Sequence, residues 1–143
     1  MYRYPVKLKR DDNGTIMATF PDLPEAITFG ETHGDALRRA SQALEAALKI
    51  YMDDGKDIPV PRALRPGAPA VGLPALSAAK VALYQAMHSS GVGKSELSKR
   101  LKCPLAQIDR LLNLNRASRL DQIEVALRAL GKEIDVVVRN VAA

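Results

Sequence analysis

Apolar residues recur at every second position over residues 2–8 of this chain and again over residues 16–20. From residue 77 to residue 131 they recur at every third or fourth. A period of two belongs to a half-buried strand and a period near 3.6 to a helix. Between the two regimes lie residues 55–75, broken by Pro59, Pro61, Pro66, Pro69 and Pro74. Such a pattern predicts an α+β chain in two parts, a small sheet unit over 1–74 and a helical unit over 76–140, joined across 55–75.

In the first part, Tyr2, Tyr4, Val6 and Leu8 share one face of a strand over residues 2–9, and Pro5, which cannot donate to a ladder, predicts a local edge. Asn13-Gly14 signals a hairpin. Ile16, Ala18 and Phe20 mark a second strand over 15–20, PDLP breaks the pattern, and 26–29 forms a third. Thr32 with Asp35 three residues on has capping-box spacing, and Leu37, Ala40, Leu44, Ala47 or Leu48, and Tyr51 then follow a helical period to Gly55. The order is β-β-β-α, with Ala70 to Leu73 as a short returning strand.

In the second part, Ser77 is placed to cap a helix carrying Val81, Tyr84 and Met87, and Gly91-Val92-Gly93 interrupts it. Helices are expected over 94–101 and 105–113. Ser118 with Asp121 is another capping box, opening a helix with Leu120, Ile123, Leu127 and Leu130 inward and Gly131 as its stop. Residues 133–138 then alternate Ile134, Val136 and Val138 as a strand. A lone strand needs partners for its backbone groups. Pairing with the same strand of a second chain supplies them and makes a two-fold dimer, with a tetramer left open.

The charge is uneven. Residues 1–64 hold nine Lys/Arg against ten Asp/Glu, and residues 65–143 hold twelve against six. The basic excess coincides with KSELSKRLKCPLAQIDRLL (94–112), two short helices around a tight turn, braced by Val92, Leu97, Leu101, Ile108 and Leu111. In a helix-turn-helix of this shape the second helix enters the major groove. Lys94, Ser95, Lys99, Gln107, Arg110, Arg116 and Arg119 are the candidate DNA contacts. Gln107 suits adenine and Arg110 guanine or phosphate. Lys94 and Ser95 suit phosphate at a helix start, and Arg116 and Arg119 suit phosphate in the following loop. Lys102 occupies the turn position at which Cro/CI-like repressors usually carry glycine. A positive φ there costs about 1 kcal/mol for any other residue.

Nearly the whole length of the chain resembles a HicB-type antitoxin. The likeness rests on MYRYPVKLK, FPDLPEAITFGET and ALRRASQALEAAL in front, and on DRLLNLNRASRLDQIEVALRALGKEIDV behind. The resemblance implies a front half similar to a truncated ribonuclease-H sheet that shields a HicA-type mRNA-cleaving toxin. It implies a back half of the helix-turn-helix kind that dimerises and represses the toxin–antitoxin operon at its operator DNA. The acidic Asp22, Glu25, Glu31 and Asp35 are the candidate contacts to a basic toxin.

Catalysis is not expected. Two-metal chemistry needs converging carboxylates, whereas Asp11 and Asp12 lie in the Asn-Gly turn, and Asp22 and Glu25 flank prolines. His33 and His88 sit near helix ends, and the single Cys103 has no neighbouring histidine. No phosphate loop or zinc spacing is present, and no metal or cofactor is implied. One cysteine, no apolar run near the length of a membrane span, and no signal-like N-terminus lead to the expectation of a cytoplasmic protein. The alternative function is a repressor whose front domain senses a small molecule or another protein. A ribonuclease-H-type nuclease is the third reading.

Overall fold

The computed structural model describes residues 2–141. It has mixed α/β architecture, with two small antiparallel sheets and five helices among the described residues. The opening strand is divided at Val6 into β1 (Arg3–Pro5) and β2 (Lys7–Arg10). The division has a cause: β1 pairs with one neighbour and β2 with another on a different sheet. The Val6 N–H itself goes to the Pro69 carbonyl at 3.0 Å. Pro5 therefore sits where its strand has a single neighbour, as a residue without a donor requires.

β2 pairs antiparallel with β3 (Ile16–Phe20), Leu8 opposite Ala18, and β3 with β4 (Leu23–Gly30), Ala18 opposite Thr28. In the first turn only Gly14 takes positive φ, at +85°. The Asn13 side chain instead accepts from Thr15 N at 3.2 Å, an Asx-type bond that competes with the expected two-residue turn. β4 is longer than the 26–29 expected. It begins directly after Pro21-Asp22, and its register jumps from Phe20–Leu23 to Thr19–Ile27, so Pro24 is never asked for a ladder bond.

Helix α1 (His33–Asp53) is capped as its spacing predicts: Asp35 N donates to Thr32 Oγ1 at 3.0 Å, and Glu31 N donates to Asp35 Oδ2 at 3.0 Å. Its buried stripe is Ala36, Ala40, Leu44, Ala47, Leu48 and Met52, with Leu37 and Tyr51 at the margins. The stripe lies against Tyr4, Val6, Ile16, Ala18, Phe20, Leu23 and Ala26 to form the first core. At Gly30 the backbone of β4 meets the start of α1 so closely that an added Cβ would lie 2.6 Å from Ala36 Cα.

Residues 55–69 cross the surface without helix or strand. They are pinned rather than loose. Ile58 is buried, Tyr4 Oη donates to Pro59 O at 2.6 Å, and Arg62 Nε lies 2.8 Å from Asp22 Oδ1. β5 (Ala70–Gly72) then pairs antiparallel with β1, Tyr4 opposite Val71. The returning strand thus lies beside β1 and not beside β4.

Helix α2 (Ala75–Ser90) begins two residues before the expected cap. Ser77 lies inside the helix and its hydroxyl donates to Glu45 on α1 at 2.8 Å, so a tertiary partner takes the group the spacing assigned to the cap. α2 is shared between two cores. Val81 joins the first, while Ala79, Leu83, Ala86 and Met87 join a second with Leu97, Ile108, Leu111, Ile123, Ala126 and Leu127. These last come from α3 (Lys94–Leu101), α4 (Leu105–Leu112) and α5 (Leu120–Ala129). Ser118 does not cap α5. Arg119 occupies that position without a side-chain cap bond, and the Ser118 hydroxyl is engaged by Lys80. Residues 133–138 form no strand in the single chain. Ile134 packs on the second core, and Val136 and Val138 stay exposed.

Candidate functional site

α3 and α4 form a compact pair around Lys102, which has φ 53° and ψ 46°. It is the one residue other than glycine with positive φ among the described residues. The left-handed turn is held by Cys103 N donating to Ser98 O at 3.1 Å and Ser98 Oγ donating to Cys103 O at 2.5 Å. Lys94, at the start of α3, is tied to α4 by a 2.8 Å ion pair with Asp109.

α4 buries Ile108 and Leu111 and advances about 100° per residue, so its outermost ridge is Ala106, Asp109 and Arg110, all exposed. Gln107, the sequence's first choice for reading a base, lies on the flank of this ridge. It is half-buried in a shallow cleft with Leu101, Leu111, Gln122 and Val125. Ser95, Lys99 and Arg116 are exposed. Arg119 is exposed and paired with Asp121 at 2.7 Å. The structure thus ties Lys94 to Asp109 on the ridge of α4, and it sets Gln107 and Arg110 along one shallow cleft with Ala106, Leu111 and Gln122.

Lys80 is the residue that sequence reasoning missed. It is 1% exposed in the middle of α2. Its Nζ lies 2.9 Å from the carbonyls of Arg110 and Asn113, 2.8 Å from that of Arg116 and 2.8 Å from Ser118 Oγ. The end of α4 and the loop carrying Arg116 are therefore built around one buried ammonium. Burial lowers its pKa from the ordinary lysine value, and the surrounding oxygens, aimed at the charge, act the other way. One signal pointed to it: Lys80 is the only Lys, Arg, Asp or Glu between residues 66 and 93.

The acidic candidates in front separate into two kinds. Asp22 is not the free turn residue its pattern suggested. Its side chain is 9% exposed and holds both Nε and the backbone N–H of Arg62. Asp35 is occupied by the N–H of Glu31 and by Arg38 and Arg39, and these bonds, led by the backbone one, hold its carboxyl below its ordinary range. Glu25 and Glu31 stay exposed. Glu25 accepts from the Tyr51 hydroxyl, which raises the Tyr51 pKa. Next to Glu25, Ile27 and Phe29 stand exposed on the sheet face opposite α1, with Phe29 opposite Met17 across the ladder. Their alternation with Ala26 and Thr28 was the available signal.

Among the described residues no three or more His, Cys, Asp or Glu side chains gather in a way that could hold a metal ion. No helix there is long and apolar enough to cross a membrane.

Residues 3–82 match the family described as HicB_like antitoxin of bacterial toxin-antitoxin system. Antitoxin HicB of Escherichia coli (strain K12) is 38% identical over 135 residues, covering 94% of this chain and 98% of the relative. Antitoxin HicB 2 of Photorhabdus laumondii is also 38% identical over 135 residues, covering 94% and 95%. Antitoxin HicB of Pseudomonas fluorescens (strain Pf0-1) is 38% identical over the same length, covering 94% and 92%. These relatives bear the name of an antitoxin and not of an enzyme. With more than half its length inside the family match and relatives aligned nearly end to end, the chain belongs to the HicB-like antitoxins of bacterial toxin–antitoxin systems.

Proposed function

We propose that this antitoxin works through two surfaces. The front unit, residues 1–74, neutralises a HicA-type mRNA-cleaving toxin. The back unit, residues 76–140, binds operator DNA as a homodimer and represses its own operon. The arrangement of β1 to β4 under α1 supports reading the front as a truncated ribonuclease-H-type sheet, and the α3–turn–α4 pair supports reading the back as a Cro/CI-like helix-turn-helix.

The observation that carries the DNA reading is the exposed ridge of α4. Arg110 stands on it, and Lys94, Ser95, Lys99, Arg116 and Arg119 lie on the elements before and after it. Such a ridge fits a major groove, with Arg110 reaching base edges, Gln107 reaching from the flank, and the other five positioned for phosphate. Gel-shift titration of the operator tests it. Arg110→Ala is expected to lose roughly tenfold to a hundredfold in affinity. Parent-like binding by this variant would remove α4 from the groove.

For the toxin, Glu25 and Glu31 are the two of the four acidic candidates left exposed, and Ile27 and Phe29 lie beside Glu25. Asp22 and Asp35 act instead to hold residues 59–65 and the start of α1. Co-expression with the small basic protein encoded beside this chain, followed by pull-down and a growth assay, tests the reading. A stable complex with restored growth supports it. No complex and no toxicity would overturn it.

A further inference from the structure

We propose that residues 133–139 of two copies of this chain pair antiparallel about a two-fold axis through Val136, placing Glu133 of each copy opposite Arg139 of the other. The proposal rests on the homodimer reading above and gives that dimer its register.

The segment follows Gly131, which ends the α5 region. Ile134 is half-buried against the second core, whereas Val136, Val137, Val138 and Val141 are 74%, 83%, 92% and 90% exposed. A run of valines so exposed, with high strand propensity and no ladder in its own chain, needs an apolar neighbour with free backbone groups. An identical tail provides both.

Charge then selects among the pairings. With the axis through Val136, Ile134 faces Val138, Asp135 faces Val137, and Glu133 faces Arg139 twice. Every inward pair is apolar, and on the outer face Glu133 meets Arg139 twice while Asp135 lies beside Val137. Moving the axis to residue 135 sets Asp135 against itself, which is repulsive. Moving it to residue 137 keeps an Asp135–Arg139 pair but sets Ile134 against Asn140. A slip of one residue turns the apolar faces of the two copies to opposite sides, so the two Ile134 side chains could not both reach their cores. A parallel pair sets Glu133 and Asp135 near their own copies. Of these three axes, the one through Val136 keeps every inward pair apolar, sets no like charges opposite each other and pairs Glu133 with Arg139.

Cysteine cross-linking of the full chain tests the register, with native Cys103 replaced by Ser. Directly opposed Cα atoms lie about 4.5–5.5 Å apart, within disulfide reach. Val136→Cys is therefore expected to form an intermolecular disulfide on mild oxidation. Val137→Cys is expected not to, since its copies would be roughly 8 Å apart, from a spacing of ~5 Å and two steps of ~3.3 Å. Charge exchange gives an independent readout. Glu133→Arg alone and Arg139→Glu alone should each weaken the dimer about tenfold, and the two together should restore it. A dimer that cross-links through residue 137, or is not restored by the double exchange, overturns the register and leaves the tail dimer standing. A dimer that cross-links at neither position overturns the tail as the interface. A parent chain of monomer mass at micromolar concentration overturns the dimer reading itself.

Discussion

The ammonium of Lys80 lies 2.9 Å from the carbonyl oxygen of Arg110. The first residue belongs to a helix shared by both cores, and the second stands on the exposed ridge of α4. One turn from Lys80 along α2, Tyr84 Oη donates to Lys56 O at 2.7 Å. Leu114, just after α4, is buried in the first core. The front of the molecule and the α4 ridge are thus joined by packed side chains and not by a loose tether. A partner that shifts α2 changes the support of Arg110 and Arg116 together.

Lys80→Met keeps most of the side-chain volume and removes the donor. Three backbone carbonyls then lose their partner, which is expected to destabilise the fold by about 1–3 kcal/mol. Thermal unfolding should show a lower midpoint. Operator affinity should fall for all sequences alike, since the variant alters the support of the loop carrying Arg116 and no base contact. An unchanged melting midpoint would mean that water replaces the ammonium without loss.

The Tyr2 hydroxyl donates to Gln85 Oε1 on α2, and burial pushes its pKa up to about 12 from 10.0. The neutral form is favoured in the fold, so the folded state holds this proton after the unfolded chain has lost it. The stabilisation is complete below pH 10 and is lost as pH rises from 10 towards 12. Tyr2→Phe should remove this part of the alkaline decline. Urea midpoints of the two chains are expected to differ least where parent stability has already fallen, near pH 11.5, and most below pH 10. A difference independent of pH would show that the lost hydrogen bond alone sets the effect.

Lys102→Gly addresses the turn between α3 and α4. A lysine at φ 53° and ψ 46° carries the left-handed penalty that glycine lacks. Glycine also gives the unfolded chain more freedom, which offsets part of the gain. The expected net effect is about 0.5 kcal/mol of added stability, read as a higher urea midpoint. A loss of stability would mean that the lysine side chain contributes packing over the turn.

Much of this fold was legible because it depends on near neighbours. The starts of α3 and α4 follow from Gly93 and Pro104, and their inward faces from Leu97, Ile108 and Leu111. The start of α1 follows from Thr32 and Asp35. What stayed hidden depends on residues distant in the chain. Ser77 and Ser118 have the spacing of caps, but Glu45 and Lys80 reach their hydroxyls first. Asp22 reads as a turn residue because Arg62, forty positions on, cannot be placed beside it from periodicity. Lys80 breaks the rule that lysine faces water, since the three carbonyls that justify its burial converge only in the folded chain. Gln107 sits one step round the helix from the outer ridge, a rotation of about 100° that residue type does not reveal.

Asp109 offers the sharpest test of the proposed DNA surface. It is an acidic residue on the exposed ridge of α4, and it holds Lys94 at 2.8 Å with both side chains more than half exposed. An exposed pair of this kind contributes about 0–1 kcal/mol to stability, so Asp109→Asn should barely change the melting midpoint. For DNA the effect should be larger. The variant removes a negative charge facing phosphate and releases the Lys94 ammonium to meet it. Affinity for non-specific duplex is expected to rise several-fold at low salt, and the slope of log affinity against log salt to steepen by about one. Lys94→Ala should do the reverse and make that slope shallower by about one. Weaker operator binding by Asp109→Asn, with non-specific binding unchanged, would mean that the carboxylate accepts from a base edge such as the cytosine amine, making Asp109 part of the readout instead of a brake on it.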